Sequence, residues 1–516
     1  MKIPEVEHMK RAAGVLLPIF SLPSPHGIGC FSKEAYQFVD FLAKAGQSYW
    51  QILPLGPTSY GDSPYQSYST YAGNPYFIDL DELVKEKLLK KAEVEACDMG
   101  DGEKIDYAKL YNNRIPLLKT AYERSLEKED PEFEVFRAEQ AWWLKDYCLF
   151  RAIKEIFNDR WDNWAADIRY RWSNALEYYS ETYKKEIGFH EWMQYKFLQQ
   201  WKKLKKYAND KGIKIVGDIP IYVAYDSPDV WAHPELFDLD EERRPVNVAG
   251  CPPDGFSADG QVWGNPLYRW DYHRQTGFDW WSGRIWYCFQ LYDVVRIDHF
   301  RAFDEYFSIP AGQPSAKNGK WNKGPGMDFF NTMKWRLGEK DIIAEDLGLM
   351  TDGVRKLVKD SGYPGMKVIQ FAFDPEDVNG KGDYLPHNYT TNSVVYTGTH
   401  DNETIYGWVK GLTKAQKKMI KEYLDRPEIN KEALAKELIR TAHAAVSDLC
   451  VIPMQDYLLE DNSARINFPS SMGTNWQWRM KKSDLTATLA KEIKTLTQRY
   501  GRLAEVPVTK VKKDAE

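Results

Sequence analysis

The chain has 516 residues, 43% hydrophobic and 28% charged, which describes an ordinary soluble globular protein with ample core. A division at roughly 150 residues per domain would give about three domains, a rule that barrels break. The net charge of −6 argues against a polyanionic partner such as nucleic acid.

Six cysteines (Cys30, Cys97, Cys148, Cys251, Cys288 and Cys450) form neither a CxxC nor a metal-binding spacing. They read as buried thiols of a reducing compartment. The opening "MKIPEVEHMKRAAGVLLPIF" lacks an uninterrupted signal-type apolar core, and no segment reaches the ~18 apolar residues of a membrane span. The expectation is a cytoplasmic protein, with the sequons at Asn388 and Asn402 left unglycosylated. Aromatic residues reach 14%, with 19 Trp and 32 Tyr; such rings serve cores and binding surfaces alike, including the C–H faces of sugars.

In chain order, eight apolar runs are too short for helices and are bounded by turn residues. They cover 14–18, 49–54, 213–218, 294–298, 341–345, 366–371, 394–399 and 449–454. Segments of helical character lie between them, such as 351–360. In the last one, Leu485, Leu489, Ile493, Leu496 and Tyr500 recur every three or four residues. Ser483 or Asp484 is expected to cap its start and Gly501 to end it.

Eight strands alternating with helices favour an α/β fold of the (β/α)8 type over an open doubly wound sheet. No GxGxxG or Walker pattern follows the first strand. Two connections are far longer than ordinary βα loops. The one after strand two, 56–212, contains a Lys/Glu/Trp-rich insertion over 81–206 that reads as mainly helical. Adjacent Trp142 and Trp143 within it point in different directions and are expected in its core. The connection after strand three, 220–293, is rich in Pro, Gly and aromatic residues and is expected to lie over the active-site face. The expectation is a single barrel domain over 1–516, with a frayed tail "VTKVKKDAE".

Three strands deliver an acid to the face where barrel sites lie. "LYDVVRIDHFR" turns from an apolar run to Arg296, Asp298, His299 and Arg301; strand five ends in Glu345 beside Asp346; strand seven leads into "GTHDNET", with His400 and Asp401. Buried charges must be paired or used. Acids at strand ends can cap helices or pair with arginine, yet three on three strands, with Arg296 inside strand four, point to a shared site. Crowded carboxylates divide into one protonated and one ionised, which glycosidic bond cleavage requires. An aspartic-protease-like dyad leaves the aromatics and the third acid unexplained. A metal site would also use Asp, Glu and His, but His299 and His400 have no HxxxH or HExxH setting.

Arg296-Ile-Asp298-His299 resembles the fourth-strand motif of the α-amylase clan. Nearly end to end, the chain resembles the amylomaltase (4-α-glucanotransferase, disproportionating enzyme) family. The motifs that carry this are "GVLLPIFSLPSPHGIG", "SYWQILPLGPTSYGDSPYQSYSTYAGNPY", "GDIPIYVAYDSPDVWAHPELF", "PPDGFSADGQVWGNPLY", "IIAEDLG", "GTHDNET" and "ARINFP", in the family's order.

The resemblance implies Asp298 as nucleophile and Glu345 as general acid/base. Asp401 would stabilise the transition state and grip sugar hydroxyls. Arg296 and His400 would line the subsite of the attacked glucose, with Arg296 stabilising the charge of Asp298. Asp218, Asn467, Tyr60, Trp263 and Gln261 would line the glucan-binding cleft, and the 252–263 loop would lean over its acceptor side. The sequence departs from the family pattern at Gly255, where a larger residue is expected, at Ala302 in place of Gly, and at Ser470-Ser471 in place of a Gly. The implied reaction is transfer of an α-1,4-glucan segment to the 4-hydroxyl of another glucan or glucose, by double displacement with retention and with no cofactor or metal. Partners are then maltooligosaccharide or other α-1,4-glucan donors and acceptors. A plain α-glucan hydrolase would use the same acids; a non-catalytic glucan-binding protein would lose one.

Overall fold

The computed structural model describes residues 10–503, apart from 60, 101, 254–256, 349, 378 and 472. The expectations for Tyr60, Gly255 and the 508–516 tail fall outside these residues.

Strands occur in chain order as β1 (Ala12–Leu16), β2 (Tyr49–Gln51), β3 (Lys214–Ile219), β4 (Asn247–Cys251), β5 (Gln261–Pro266) and β6 (Val294–Ile297). There follow β7 (Glu305–Pro310), β8 (Lys320–Lys323), β9 (Ile342–Ala344), β10 (Gly365–Val368), β11 (Ser393–Tyr396) and β12 (Leu449–Pro453). Eight of them close a barrel in the order β1-β12-β11-β10-β9-β6-β3-β2, all paired in parallel. These are the eight strands expected from the apolar runs. Several runs extend past the strand because the chain turns there into the mouth; after β10, for example, Ile369–Phe371 forms a 3-10 turn.

Side-chain alternation divides the barrel residues between two cores. Leu16, Val216, Val294, Ile343, Met366 and Val394 pack inside the barrel. Val15, Trp50, Ile215, Val295, Ile297 and Ala344 pack outward against the helices. The same parity carries Asp218 on β3 and Arg296 on β6 inward, one layer above Val216 and Val294. They are register partners, and both are buried.

The connection from β2 to β3 holds a series of helices, including α1 (Ala141–Phe157) and the 27-residue α2 (Lys184–Asp210). The latter buries Phe189, Trp192, Phe197 and Trp201. Trp143 is in the core as expected, but Trp142 is 46% exposed. Its ring meets Tyr71 and Trp286 edge-on, because its position on α1 faces the seam between the insertion and the barrel helices.

The connection from β3 to β6, rich in Pro, Gly and aromatic residues and expected to be loop, contains β4 and β5. With β7 and β8 they form a four-stranded sheet in the order β5-β4-β7-β8. The β3-to-β6 connection ends with α3 (Asp279–Leu291), which leads into β6, while α4 (Met327–Leu337) leads into β9. Next, α5 (Asp352–Ser361) is capped by Thr351 and ends at left-handed Gly362.

The last helix, α6 (Ala487–Arg499), starts later than expected. Thr486, not Ser483 or Asp484, caps it by accepting from the Leu489 N–H. The intervening 3-10 turn Lys482–Asp484 is closed by Asp484 accepting from the Lys481 N–H. Arg502, fully buried, ties the barrel seam: its guanidinium donates to the carbonyls of Ala12, His443, Ala445, Ser447 and Asp448. No helix among the described residues is long and apolar enough to cross a membrane.

Candidate active site

The ladder of barrel hydrogen bonds runs one residue beyond the strands and so fixes the backbone of the two central acids. The Asp298 N–H donates to Ile219 O at 3.0 Å, and the Glu345 N–H to Ile297 O at 3.1 Å. Both side chains therefore leave a rigid frame at the C-terminal mouth, where barrel sites form.

Arg296 sits at the centre. It donates to Asp218 Oδ2 at 2.6 Å and to Asp298 Oδ1 at 2.9 Å. Its guanidinium is held well above its ordinary pKa: burial opposes the charge, but the carboxylates of Asp218 and Asp298 outweigh it. Burial pushes the Asp218 carboxyl up, and the Arg296 guanidinium pulls against that. Asp298 is less enclosed, with 28% of its side chain exposed to the mouth.

Glu345 is held by two backbone donors, His299 N–H to Oε2 and Leu347 N–H to Oε1, both at 2.8 Å. Part of the residue faces the mouth, yet protein surrounds the carboxyl. That desolvation, partly opposed by Arg296 and reinforced by Asp298, pushes it up to about 7. Neighbouring Asp346 points the other way and accepts from the Met366 N–H at 2.7 Å, so it supports β10 and does not join the cluster.

His299 adopts the left-handed backbone, with φ 53°, which a side-chain-bearing residue rarely takes. This turn aims its N–H at Glu345. Its imidazole is buried, pushed down to about 4, and packs edge-on against Trp263 at 4.9 Å. Trp263 in turn donates through Nε1 to Gln261 Oε1 at 3.0 Å. Both stand on β5, so the small sheet brings this pair beside the acid-bearing turn. Arg301 stacks over Trp321 of β8, 4.1 Å from the ring centre, and braces the same sheet.

On the opposite side, Asp401 Oδ1 accepts from Asn467 Nδ2 at 2.6 Å and lies 3.4 Å from His400 Nε2. Arg465 anchors this turn by donating to the Asp401 carbonyl at 2.6 Å. Ser470, where the family pattern has glycine, takes φ 62°, a conformation glycine reaches without strain.

Nine of the ten residues singled out from the sequence thus fall into one connected mouth; Tyr60 is outside the described residues. Tyr65 was missed. Its hydroxyl donates to Asp218 Oδ2 at 2.7 Å, and its ring stacks on His400 at 4.8 Å and 13°. Trp476 closes the same aromatic corner, 5.9 Å from both rings. The Ser63-Pro64 turn, which caps the 3-10 turn of Tyr65, was the available signal, but four more tyrosines between Tyr60 and Tyr76 concealed it. Flanking Trp476, a cavity of about 1070 Å³ extends between residues 57–59 and the helical insertion, lined by Tyr76, Tyr107, Tyr111 and Tyr147.

A buried neutral-prone carboxyl beside an arginine-paired carboxylate can give a proton and attack an electrophilic carbon at one point. Comparison with known proteins agrees. Residues 17–486 match the family model described as 4-alpha-glucanotransferase. The 4-alpha-glucanotransferase of Clostridium butyricum is 49% identical, with 94% of this chain and 99% of that one covered. That of Streptococcus pneumoniae TIGR4 is 48% identical, with 96% and 98% covered. The amylomaltase of Streptococcus agalactiae, solved with acarbose, is 45% identical with a TM-score of 0.92, covering 96% of this chain and 100% of that one. The chain belongs to the 4-alpha-glucanotransferase family.

Proposed function

We propose that this glucanotransferase moves a segment of an α-1,4-glucan onto the 4-hydroxyl of a second glucan or glucose by double displacement. Glu345 protonates the glycosidic oxygen while Asp298 attacks the anomeric carbon; the bond to the leaving glucan breaks and a glycosyl ester on Asp298 forms. Glu345, now ionised, takes the proton of the incoming 4-hydroxyl. That oxygen displaces Asp298, and two inversions leave an α-linkage. Asp401, fixed by Asn467, receives sugar hydroxyls, and the Tyr65–His400 stack forms an apolar wall for the attacked ring. Gln261 and Trp263 lie on the acceptor side.

The observation that carries this reading is Glu345: a carboxyl raised to about 7 beside Asp298 is protonated when an acid is needed and ionised when a base is needed. Transfer outruns hydrolysis when a bound sugar meets the intermediate more productively than water does. The aromatic walls on both sides of the mouth favour sugar there. The six cysteines, none of them bridged, suit a cytoplasmic setting.

Incubation with maltotriose is the test. A ladder of longer maltooligosaccharides accompanied by glucose is expected. Glucose and maltose without longer products would make the protein a hydrolase and defeat the transfer reading.

A further inference from the structure

Outside the mouth, α3 and α4 run side by side on the barrel flank. Their solvent face carries Trp286, 45% exposed, and Trp335, 82% exposed. A groove of about 710 Å³ between them is lined by Asp279, Gly283, Trp286, Trp335 and Arg336. At Asp279 and Gly283 it joins a second cavity of about 360 Å³, walled by Trp142 and Trp280. Both volumes lie in the range of roughly 300–1,000 Å³ usual for small-ligand sites.

Three features give the groove the character of a built site. Asp279, Gly283 and Trp286 occur at i, i+4 and i+7 on α3 and therefore share one face. Glycine weakens a helix interior, and nothing lies within 4 Å of where a Gly283 Cβ would stand. Packing does not require glycine there; what it provides is an open floor between the indoles. At the rim, Arg336 Nη1 donates to Asp279 Oδ1 at 2.7 Å, leaving other donors and acceptors of this exposed pair free to turn outward.

Apolar ring faces alternating with a charged fork match one class of ligand. A glucan chain presents C–H faces ringed by hydroxyls, so each sugar can stack on an indole while its hydroxyls reach the rim. A protein partner fits less well. With a tryptophan covering at most about 250 Å², the exposed parts of Trp142, Trp286 and Trp335 offer roughly 400 Å², half of the ~800 Å² per partner of a stable interface.

We infer that this flank groove is a second, non-catalytic site that holds polymeric α-1,4-glucan; the inference rests on the glucanotransferase reading above. Its position gives it a use. The helix that carries Trp286 leads into the strand before Asp298, and the helix that carries Trp335 leads into the strand before Glu345. A long glucan held on this flank stays tethered to the enzyme, which raises its effective concentration without altering the chemistry. Donors too short to span both places gain nothing.

The experiment compares Trp286→Ala/Trp335→Ala with Gly283→Leu, which fills the floor but keeps both indoles. Migration is measured in native gels containing amylopectin, in an Asp298→Asn background so that the polymer is not remodelled. Maltotriose disproportionation is measured with the otherwise wild-type chain. Both variants should bind amylopectin about tenfold more weakly, with maltotriose turnover unchanged. Retardation equal to that of the parent would overturn the site. So would unchanged retardation accompanied by a fall in oligomeric size on ultracentrifugation, which would make a second copy of the chain the occupant. Failure of the functional reading would register separately, as a parent enzyme that forms no ladder from maltotriose.

Discussion

Asp298 shares its cation with Asp218, and this sharing sets what substitution should do. In Asp298→Asn the amide nearly keeps the carboxylate's shape and can still accept from Arg296, so the fold should survive. It cannot form a glycosyl ester, and turnover should fall at least about a thousandfold, consistent with removal of a covalent nucleophile. Trapping with a slow fluorinated glucosyl donor, followed by peptide mass spectrometry, should place the label on Asp298. Label on Asp401 would reassign the roles. For Glu345 the sign of the pH effect follows from the acid role proposed for it. The free enzyme needs this carboxyl protonated, so kcat/KM should hold below about 7 and fall roughly tenfold per unit above it. Glu345→Gln should lose that limb and should regain its first step with donors whose leaving groups depart unprotonated. Equal impairment with good and poor leaving groups would remove it from the acid role. A substrate-bound crystal structure should find the two carboxyls about 5–5.5 Å apart, since a gap of roughly 6.5–9.5 Å would seat a water and invert the product.

Whether an element could be recognised in the sequence depended on how much of it is buried. The barrel strands are buried on both faces, so runs such as Val394-Val395 stand out as uninterrupted apolar stretches. The strands of the small sheet do not. Lys320–Lys323 has exposed lysines at both ends and only half-buried residues between them, and Gln261–Pro266 contains a left-handed Gly264, so neither looks like a core strand. Trp263 and Gln261 were identified by motif while the strand that positions them was not. The cap was misplaced because Ser483 and Asp484 precede Leu485, the first residue of the apolar repeat, whereas Thr486 follows it and Leu485 lies outside the helix. The distinction is measurable: Thr486→Ala should cost about 1 kcal/mol in denaturant unfolding, and Ser483→Ala should be nearly neutral.

Across the whole molecule, carboxyls buried in the closed barrel burden its stability. Glu345 and Asp456 are raised from 4.5 and 3.8, respectively, to about 7, each chiefly by burial. Between about pH 4 and 7 these two carboxyls therefore hold protons in the folded chain that they release in the unfolded one, and their contribution to stability declines as pH rises through that window. The expected loss is on the order of a few kcal/mol in total. Stability measured relative to Glu345→Gln or to Asp456→Asn should fall from pH 5 to pH 8, whereas His273, His299 and His443, each pushed down by burial, drive the absolute midpoint the other way below about pH 6.5. Asparagine at 456 can still accept from the Ile405 N–H, so the comparison isolates charge. A difference from both variants that did not change with pH would contradict the assignment. None of this coupling was legible from the sequence, because it depends on which inward-facing positions the closed barrel desolvates.

The seam of that barrel also sets the timing of its synthesis. Because β1 pairs with β12, Ala12 waits for Leu449, more than 430 positions later in the chain. At about 5–20 residues per second this is on the order of 20–90 s. Throughout that interval β1 has β2 on one side and an open edge on the other, the kind of edge that invites pairing with a foreign strand. Asp298, Glu345 and Asp401 have all left the ribosome before the edge is covered, but the ring that holds them in register is not yet closed. A nascent chain therefore carries its full set of reactive groups before it can use them. Its most exposed moment comes just before β12 emerges, when a ribosome pause or a shortage of chaperone would be most costly.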